Sequence, residues 1–423
     1  MKRLILLSFM WILLFSTILT SGNVRTAVGF SQESTMGFFK GVGEPLTYRS
    51  AWSQEHLNVT KAFDEMLNLS VSRLREWVWR WMFFNANGSG LNEPIVEAFN
   101  EIVARAASQN IKVLGMVQDF PSWMTNISDD NQAVPYRNLT EGSLYEEFLG
   151  KYEESWRVLA ETFPDVTMWE IGNEYNLPDY LHPIGYDTSD NNTWFRYTDA
   201  ADIVTDLLYY GSKGIHEGNL SATTVMCGLG PGGNCLSDIK DFLNAIYLNI
   251  GSGNWPSRNV SDFFQIACWH PYLNVNFDEE PTEQNWVIQN NEIYNVTVYN
   301  GDTGRRVIFS ETGFSDDNNS DLYNKKARCL NETLNLAQNL SWLDTIYWFR
   351  LIDPNPEYDK NLRLSEYGYG LFGLDWYRKP AATTYSIVPE VPSFLILPLF
   401  MIVTLLVAIA HGRKNTKSQR ENS

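Results

Sequence analysis

The sequence predicts an α/β chain closed into a (β/α)8 barrel. Short β-branched or aromatic runs alternate with longer amphipathic stretches, the pattern of βα units feeding a parallel sheet. Eight runs of each kind can be counted, which is the number a barrel of this type needs. No low-complexity linker interrupts residues 30–388, so the alternation reads as one domain. The 423-residue length fits one large barrel as well as it fits two or three smaller domains.

The expected strands lie near Met36–Val42, Val71–Trp77, Lys112–Gln118, Val166–Ile171, Thr223–Gly228, Phe264–Trp269, Arg306–Ser310 and Thr345–Phe349. The expected helices lie near His56–Leu67, Ile95–Gln109, Tyr145–Thr162, Tyr197–Glu217, Ser237–Asn249, Thr282–Tyr299, Leu322–Asn339 and Lys379–Ser386. The clearest is Ile95–Gln109, which sets Ile95, Phe99, Ile102, Val103 and Ala106 on one face. The competing architecture is an open α/β sheet of similar strand number. In a barrel, a functional site is expected at the C-terminal ends of the strands.

Composition narrows the function classes. Hydrophobic residues make up 44% and charged residues 19%, a globular balance. Lys and Arg total 32 against 50 Asp and Glu, a net charge of −18. The basic residues Lys2 and Arg3 at one end and Arg413, Lys414, Lys417 and Arg420 at the other leave the body between them more acidic still. Such a body repels a phosphate backbone, so no nucleic-acid partner is expected. Four cysteines are too few for a disulfide scaffold. Cys227 and Cys235, in a Gly-rich loop, are a candidate disulfide, while Cys268 and Cys329 read as buried thiols. Fifteen tryptophans supply flat apolar surfaces suited to cores and to stacking against sugar rings.

The two ends suggest a location. Residues 1–22 read as a signal peptide: Lys2 and Arg3, then the apolar run Leu4–Leu19, then small residues. Residues 391–411 read as a transmembrane helix, followed by a basic cytoplasmic tail at 412–423. The segment Pro389–Phe394 resembles C-terminal anchors of archaeal surface proteins. Twelve Asn-x-Ser/Thr sequons lie between Asn58 and Asn339. Together these predict a cell-surface, single-pass glycoprotein with the 23–388 domain outside.

Two segments carry chemistry. Val166-Thr-Met-Trp-Glu-Ile-Gly-Asn-Glu174 is an apolar strand that ends in a carboxylate, as is Arg306-Val-Ile-Phe-Ser-Glu311-Thr-Gly-Phe314. They are the fourth and seventh strands, which face each other across a barrel mouth. Glu174 and Glu311 can therefore converge, and convergent carboxylates are what glycosidic cleavage uses, one protonated and one ionised.

Trp169-Glu-Ile-Gly-Asn173-Glu174 with Glu311 on a later strand end resembles clan A of the retaining glycoside hydrolases, over roughly residues 35–388. The resemblance implies a (β/α)8 barrel, a carbohydrate substrate with β-glycosidic bonds, and no cofactor or metal. It implies Glu174 as acid/base, Glu311 as nucleophile, and Asn173 as a partner of the sugar 2-hydroxyl. It also implies an arginine that keeps the nucleophile ionised, either Arg73 or Arg75 of Arg73-Leu-Arg75. Trp269-His270-Pro-Tyr272 matches the clan's His and Tyr near the nucleophile. Tyr347-Trp348 matches its Trp under the sugar, and Pro121-Ser-Trp123 its Pro-x-Trp turn. Arg378-Lys-Pro380 resembles its closing helix. Arg73-Leu-Arg-Glu-Trp77 is similar to endo-galactanases and Pro121-Ser-Trp123 to xylosidases and cellulases, so no single sugar is indicated.

Simpler readings exist for several of these residues. Asn173 can cap a loop, His270 can be a satisfied structural histidine, Tyr272 can pack beside Pro271, and Trp123 and Trp348 can be core. Trp77, Trp79 and Trp81 read as packing. Gly228-Leu-Gly230-Pro-Gly-Gly233 matches a dinucleotide glycine pattern, yet Pro231 interrupts it and no helix follows. Ser315-Asp-Asp-Asn-Asn-Ser320 reads as a solvated loop. No metal-ligand spacing is present among the five histidines. The alternatives to a hydrolase are a transglycosylase or a catalytically silent carbohydrate-binding surface protein on the same barrel.

Overall fold

The computed structural model describes residues 38–388, apart from 54, 188–198, 233–235, 252–254, 256–257, 274–279, 318 and 359–366. The expected signal peptide, transmembrane helix, basic tail and Cys235 lie outside the described residues. Among the described residues no helix is long and apolar enough to cross a membrane.

The barrel strands are β1 (Phe39–Gly43), β2 (Arg73–Trp79), β3 (Lys112–Gln118), β4 (Met168–Ile171), β5 (Thr223–Val225), β6 (Ile266–Cys268), β7 (Arg306–Thr312) and β8 (Leu343–Phe349). Each pairs in parallel with its sequence neighbours, and β8 pairs with β1 to close the sheet. A βα unit is thus repeated eight times, as the sequence predicts. β5 and β6 are short because their ladders continue only as single bridges, Asn173 to Gly228 and Leu229 to Trp269. That leaves loop backbone at the mouth where Glu174 and His270 sit.

Helices α1 (Val59–Asn68), α2 (Glu93–Ser108), α3 (Leu144–Thr162), α4 (Ala200–Gly218), α5 (Leu236–Gly251), α6 (Ile288–Tyr299), α7 (Tyr323–Ala337) and α8 (Pro380–Ile387) follow the strands in order. Local chemistry sets their ends. Asn58 and Ser143 accept hydrogen bonds from the first-turn amides of α1 and α3. Thr282 and Asn285 close a reciprocal capping box at the wider turn that leads into α6. The predicted apolar face of α2 is the one buried. Phe99 of that face stacks over Trp169 of β4, and Trp156 of α3 meets the same indole edge-on. Gly115 makes room for it, since a Cβ there would lie 2.6 Å from the Trp169 ring. This aromatic packing behind β4 anchors the strand that leads to Glu174.

Candidate active site

Glu174 and Glu311 meet at the C-terminal mouth of the barrel. One carboxylate oxygen of each, with a ring nitrogen of His270, lie within 4.8 Å of one another. Both side chains are 12% exposed, enough to be reached from the mouth but largely desolvated.

Backbone irregularities aim them. Beyond β4 the chain takes left-handed conformations at Gly172 (φ 87°) and Glu174 (φ 46°), and the Glu174 N–H donates to Gly228 O at 2.8 Å. A non-glycine residue at positive φ is costly and is found where function needs a particular direction. β7 carries a bulge: Phe309 to Thr312 opposes only Ile346 to Trp348 of β8. The extra residue breaks the alternation, so that Ser310 and Glu311, consecutive in sequence, both turn into the barrel.

Arg75 organises the floor. It is fully buried, and its Nη1 donates to Glu311 Oε1 at 2.6 Å. Its Nε donates to Glu170 Oε2 at 2.6 Å and its Nη2 to Asn173 Oδ1 at 2.7 Å. Asn173 therefore turns its amide N–H2, not its oxygen, towards anything bound above. Tyr272 donates its hydroxyl to Glu311 Oε2 at 3.1 Å. His270 Nδ1 is 2.7 Å from Glu174 Oε1, and its Nε2 is 2.9 Å from Ser310 Oγ. Gly228 lies against the imidazole so closely that a Cβ would collide with it.

The charges sort the two glutamates. Burial pushes the Glu311 carboxyl up, but His270 and Arg75 beside it, helped by the Tyr272 hydroxyl, outweigh this and hold it below the ordinary carboxylate value. Burial and the Glu311 charge push the Tyr272 phenol well up, so it stays a donor. Glu174 has no arginine; its partner is His270. The cluster thus holds one carboxylate fixed as an anion and a second joined to a titratable ring. Glu170, Cys268 and His270 form a second set of ligand-type atoms within 4.8 Å. Arg75 already supplies a positive charge to Glu170 in one set and to Glu311 in the other, so a cation at either would compete with a buried guanidinium.

Of the residues predicted from sequence, Glu174, Glu311, Asn173, His270, Tyr272 and Arg75 come together. Arg73 does not. It opens β2, two residues and about 6–7 Å nearer the closed end than Arg75, and its guanidinium lies 3.8 Å over the Phe39 ring. Trp348 is also a correction. Tyr347 fills the barrel against Gly41 and Arg73, so the alternation turns Trp348 outward. There it lines a small cavity with Pro271, Trp286, Thr312, Phe314 and Cys329, and its indole N–H points to Tyr369 O at 3.3 Å. Trp123 packs on Phe84 and Gly88, so it builds the wall behind the loops and serves as packing. Cys227 is a buried thiol without a disulfide partner among the described residues, and Cys235, its candidate partner, lies outside them.

Sequence reasoning missed five residues of this site. Phe349, one position beyond Trp348, faces inward and stacks on Trp77 at 5.6 Å and 25°. Trp77 stands above Arg75 on the same face of β2, and Tyr369 meets Phe349 edge-on, so these three rings form an aromatic wall beside the carboxylates. Glu170 and Ser310 lie beneath the floor, fully buried. A charged residue in the middle of an apolar strand, as in Met168-Trp-Glu-Ile171, was the available signal for Glu170.

No family model and no curated protein matches the sequence, whereas solved structures match the fold. A family 39 glycoside hydrolase from Bacteroides cellulosilyticus WH2 aligns with a TM-score of 0.56 at 18% identity, over 83% of this chain and 63% of that one. This chain therefore spans under two thirds of that enzyme's length. A family 1 β-glucosidase from Thermotoga maritima aligns with a TM-score of 0.54 at 14% identity, over 86% and 98%. A GH5-4 broad-specificity endoglucanase from Clostridium acetobutylicum aligns with a TM-score of 0.58 at 14% identity, over 84% and 97%. The fold is accordingly the closed eight-stranded parallel barrel that glycoside hydrolases of families 1, 5 and 39 share.

Proposed function

We propose that the chain is a retaining glycoside hydrolase of clan A acting on β-glycosidic bonds. The observation that carries this is the charge-sorted pair: Glu311 held ionised by Arg75, and Glu174 held by His270, with oxygens within 4.8 Å. A separation of about 5–5.5 Å between carboxyl groups suits direct attack by one of them, whereas inversion needs about 6.5–9.5 Å to admit a water. Glu311 attacks the anomeric carbon while Glu174 protonates the departing oxygen. Glu174 then takes a proton from water, whose oxygen displaces Glu311 from the face that the leaving group left, so the anomeric configuration is retained. Asn173 N–H2 faces the sugar 2-hydroxyl, and the Trp77–Phe349 wall packs on the ring. The fold is shared with a β-glucosidase and an endoglucanase, which supports a β-configured sugar. The leader 1–22 and the apolar run 391–411 would place the activity at the cell surface, on external polysaccharide or surface glycans.

The test is a panel of β-linked aryl glycosides and polysaccharides offered to the wild type and to Glu311→Ala. Release of sugar by the wild type alone, with both proteins folded, supports the reading. Full activity in Glu311→Ala sinks it. Sugar binding without release by either favours the silent carbohydrate-binding protein.

A further inference from the structure

We propose that Ser310 and Glu170 are positioning residues that make His270 and Glu174 hold one proton between them, so that the acid of the reaction is this pair and not Glu174 alone. The proposal rests on the glycosidase reading and deepens it. It follows from counting donors and acceptors among Glu170, Ser310, Cys268 and His270, all fully buried. Glu170 is fully buried and ion-paired to Arg75, so it accepts hydrogen bonds and gives none. Ser310 has one hydroxyl proton and donates it to Glu170 Oε1 at 2.8 Å. What Ser310 turns to His270 is a lone pair, and the 2.9 Å contact then requires the proton on Nε2. Cys268 Sγ lies 3.0 Å from the same Ser310 oxygen and 3.9 Å from Glu170 Oε1, so its S–H donates into this pair and adds no proton between Ser310 and the ring.

With Nε2 protonated, the 2.7 Å contact from Nδ1 to Glu174 Oε1 admits two good arrangements. In one, the ring is neutral and Glu174 donates its proton to Nδ1. In the other, the ring is charged and Nδ1–H donates to ionised Glu174. Each has one proton in the gap. The remaining arrangement sets a bare Nδ1 lone pair against a carboxylate, and it is disfavoured. The charged groups that face the ring are Glu174, Glu311 (3.8 Å from Nδ1), Glu170 (a carboxylate oxygen within 4.8 Å of a ring nitrogen, with Arg75 as its counter-charge) and Arg75; Tyr272 and Cys268 face it as neutral donors. Burial pushes the His270 ring towards its neutral form, but Glu311 and Glu174 outweigh it and raise its pKa, in keeping with a retained proton.

The pair serves both half-reactions. The shared proton passes to the glycosidic oxygen as that oxygen's bond to the anomeric carbon breaks and the Glu311 oxygen forms its own. A water then returns a proton to the pair as its oxygen displaces Glu311. Without the Ser310 hydroxyl, the neutral ring is free to carry its proton on Nδ1 and donate to ionised Glu174. That favours the deprotonated pair, so the proton leaves at lower pH.

The experiment uses the full-length protein with 15N-labelled histidine, wild type and Ser310→Ala. The His270 resonances are identified by their loss in His270→Gln. Above the basic limb of the activity profile, the wild-type ring is expected to keep its proton on Nε2, and the Ser310→Ala ring on Nδ1. On aryl glycosides, the basic limb of kcat/KM in Ser310→Ala should fall by about one pH unit. Poor leaving groups should slow roughly tenfold more than activated ones, since only they need the acid. Ser310→Thr keeps the hydroxyl and should restore both. A wild-type ring protonated on Nδ1, or one unchanged by Ser310→Ala, overturns the proposal. If the wild type hydrolyses nothing, the glycosidase reading fails on its own, while the ring spectra still decide the tautomer.

Discussion

Replacing Arg75 by Ala should destabilise the barrel strongly, and by an amount that depends on pH. The guanidinium is fully buried and bridges Glu170, also fully buried, to Glu311, which is 12% exposed. Removing one partner of such an arrangement leaves carboxylates buried without counter-charge, a loss of about 3–5 kcal/mol. The pH dependence follows from Glu311. In the wild type its folded pKa is lowered, so its contribution to stability is full above the unfolded value of about 4.3 and is lost as pH falls through the folded pKa. In the variant one of the two cations opposing burial is gone, and burial pushes the carboxyl up. The folded variant then takes up a proton that the wild type refuses, and its penalty fades as pH falls. The gap should be full at about pH 7.5 and visibly smaller at about pH 5. Urea unfolding followed by tryptophan fluorescence at both pH values measures it. A gap under about 1 kcal/mol at the higher pH, or an equal gap at both, would refute the central role given to this guanidinium.

Glu174→Ala should lose about 10²–10⁴-fold on glycosides with poor leaving groups and far less on activated ones. Added azide should restore turnover of an activated glycoside and yield the β-glycosyl azide; no rescue would argue against the acid/base role. Phe349→Ala should raise KM by weakening the aromatic wall, an effect of about 0.5–1.5 kcal/mol, whereas Trp348→Phe should leave KM within a factor of two or so; steady-state kinetics on one substrate separates them. Cys227 should be alkylated by iodoacetamide in denatured, unreduced protein, as peptide mass spectrometry would show; protection until a reductant is added would mean a disulfide.

The barrel was legible because its strands are apolar runs bounded by turn residues, and helix faces such as Ile95, Phe99 and Ile102 keep their period through the packing. Glu174 and Glu311 were legible because a carboxylate that ends an apolar strand has one natural place in a barrel, the mouth. The failures came from register. Arg73 and Arg75 share a face by alternation, and depth along β2 separates them, which pattern alone does not encode. Trp348 and Phe349 differ by one residue, and a shift of one reverses the side of the sheet. Ser310 was hidden by the β7 bulge, which breaks the alternation from which its orientation would be read. Trp77 looked like one of three packing tryptophans because Trp79 and Trp81 do pack, on Tyr48 and Trp52.

The most direct measurement is to identify the residue that becomes covalently attached to the sugar. A panel of activated 2-deoxy-2-fluoro-β-glycosides would be incubated with the wild type and the digested protein read by mass spectrometry. A glycosyl group on Glu311, absent from Glu311→Ala, is the result expected of a retaining enzyme with this geometry. A label on Glu174 would contradict the assignment of roles. Hydrolysis of ordinary glycosides that releases the inverted anomer with no labelled residue would contradict the retaining mechanism itself.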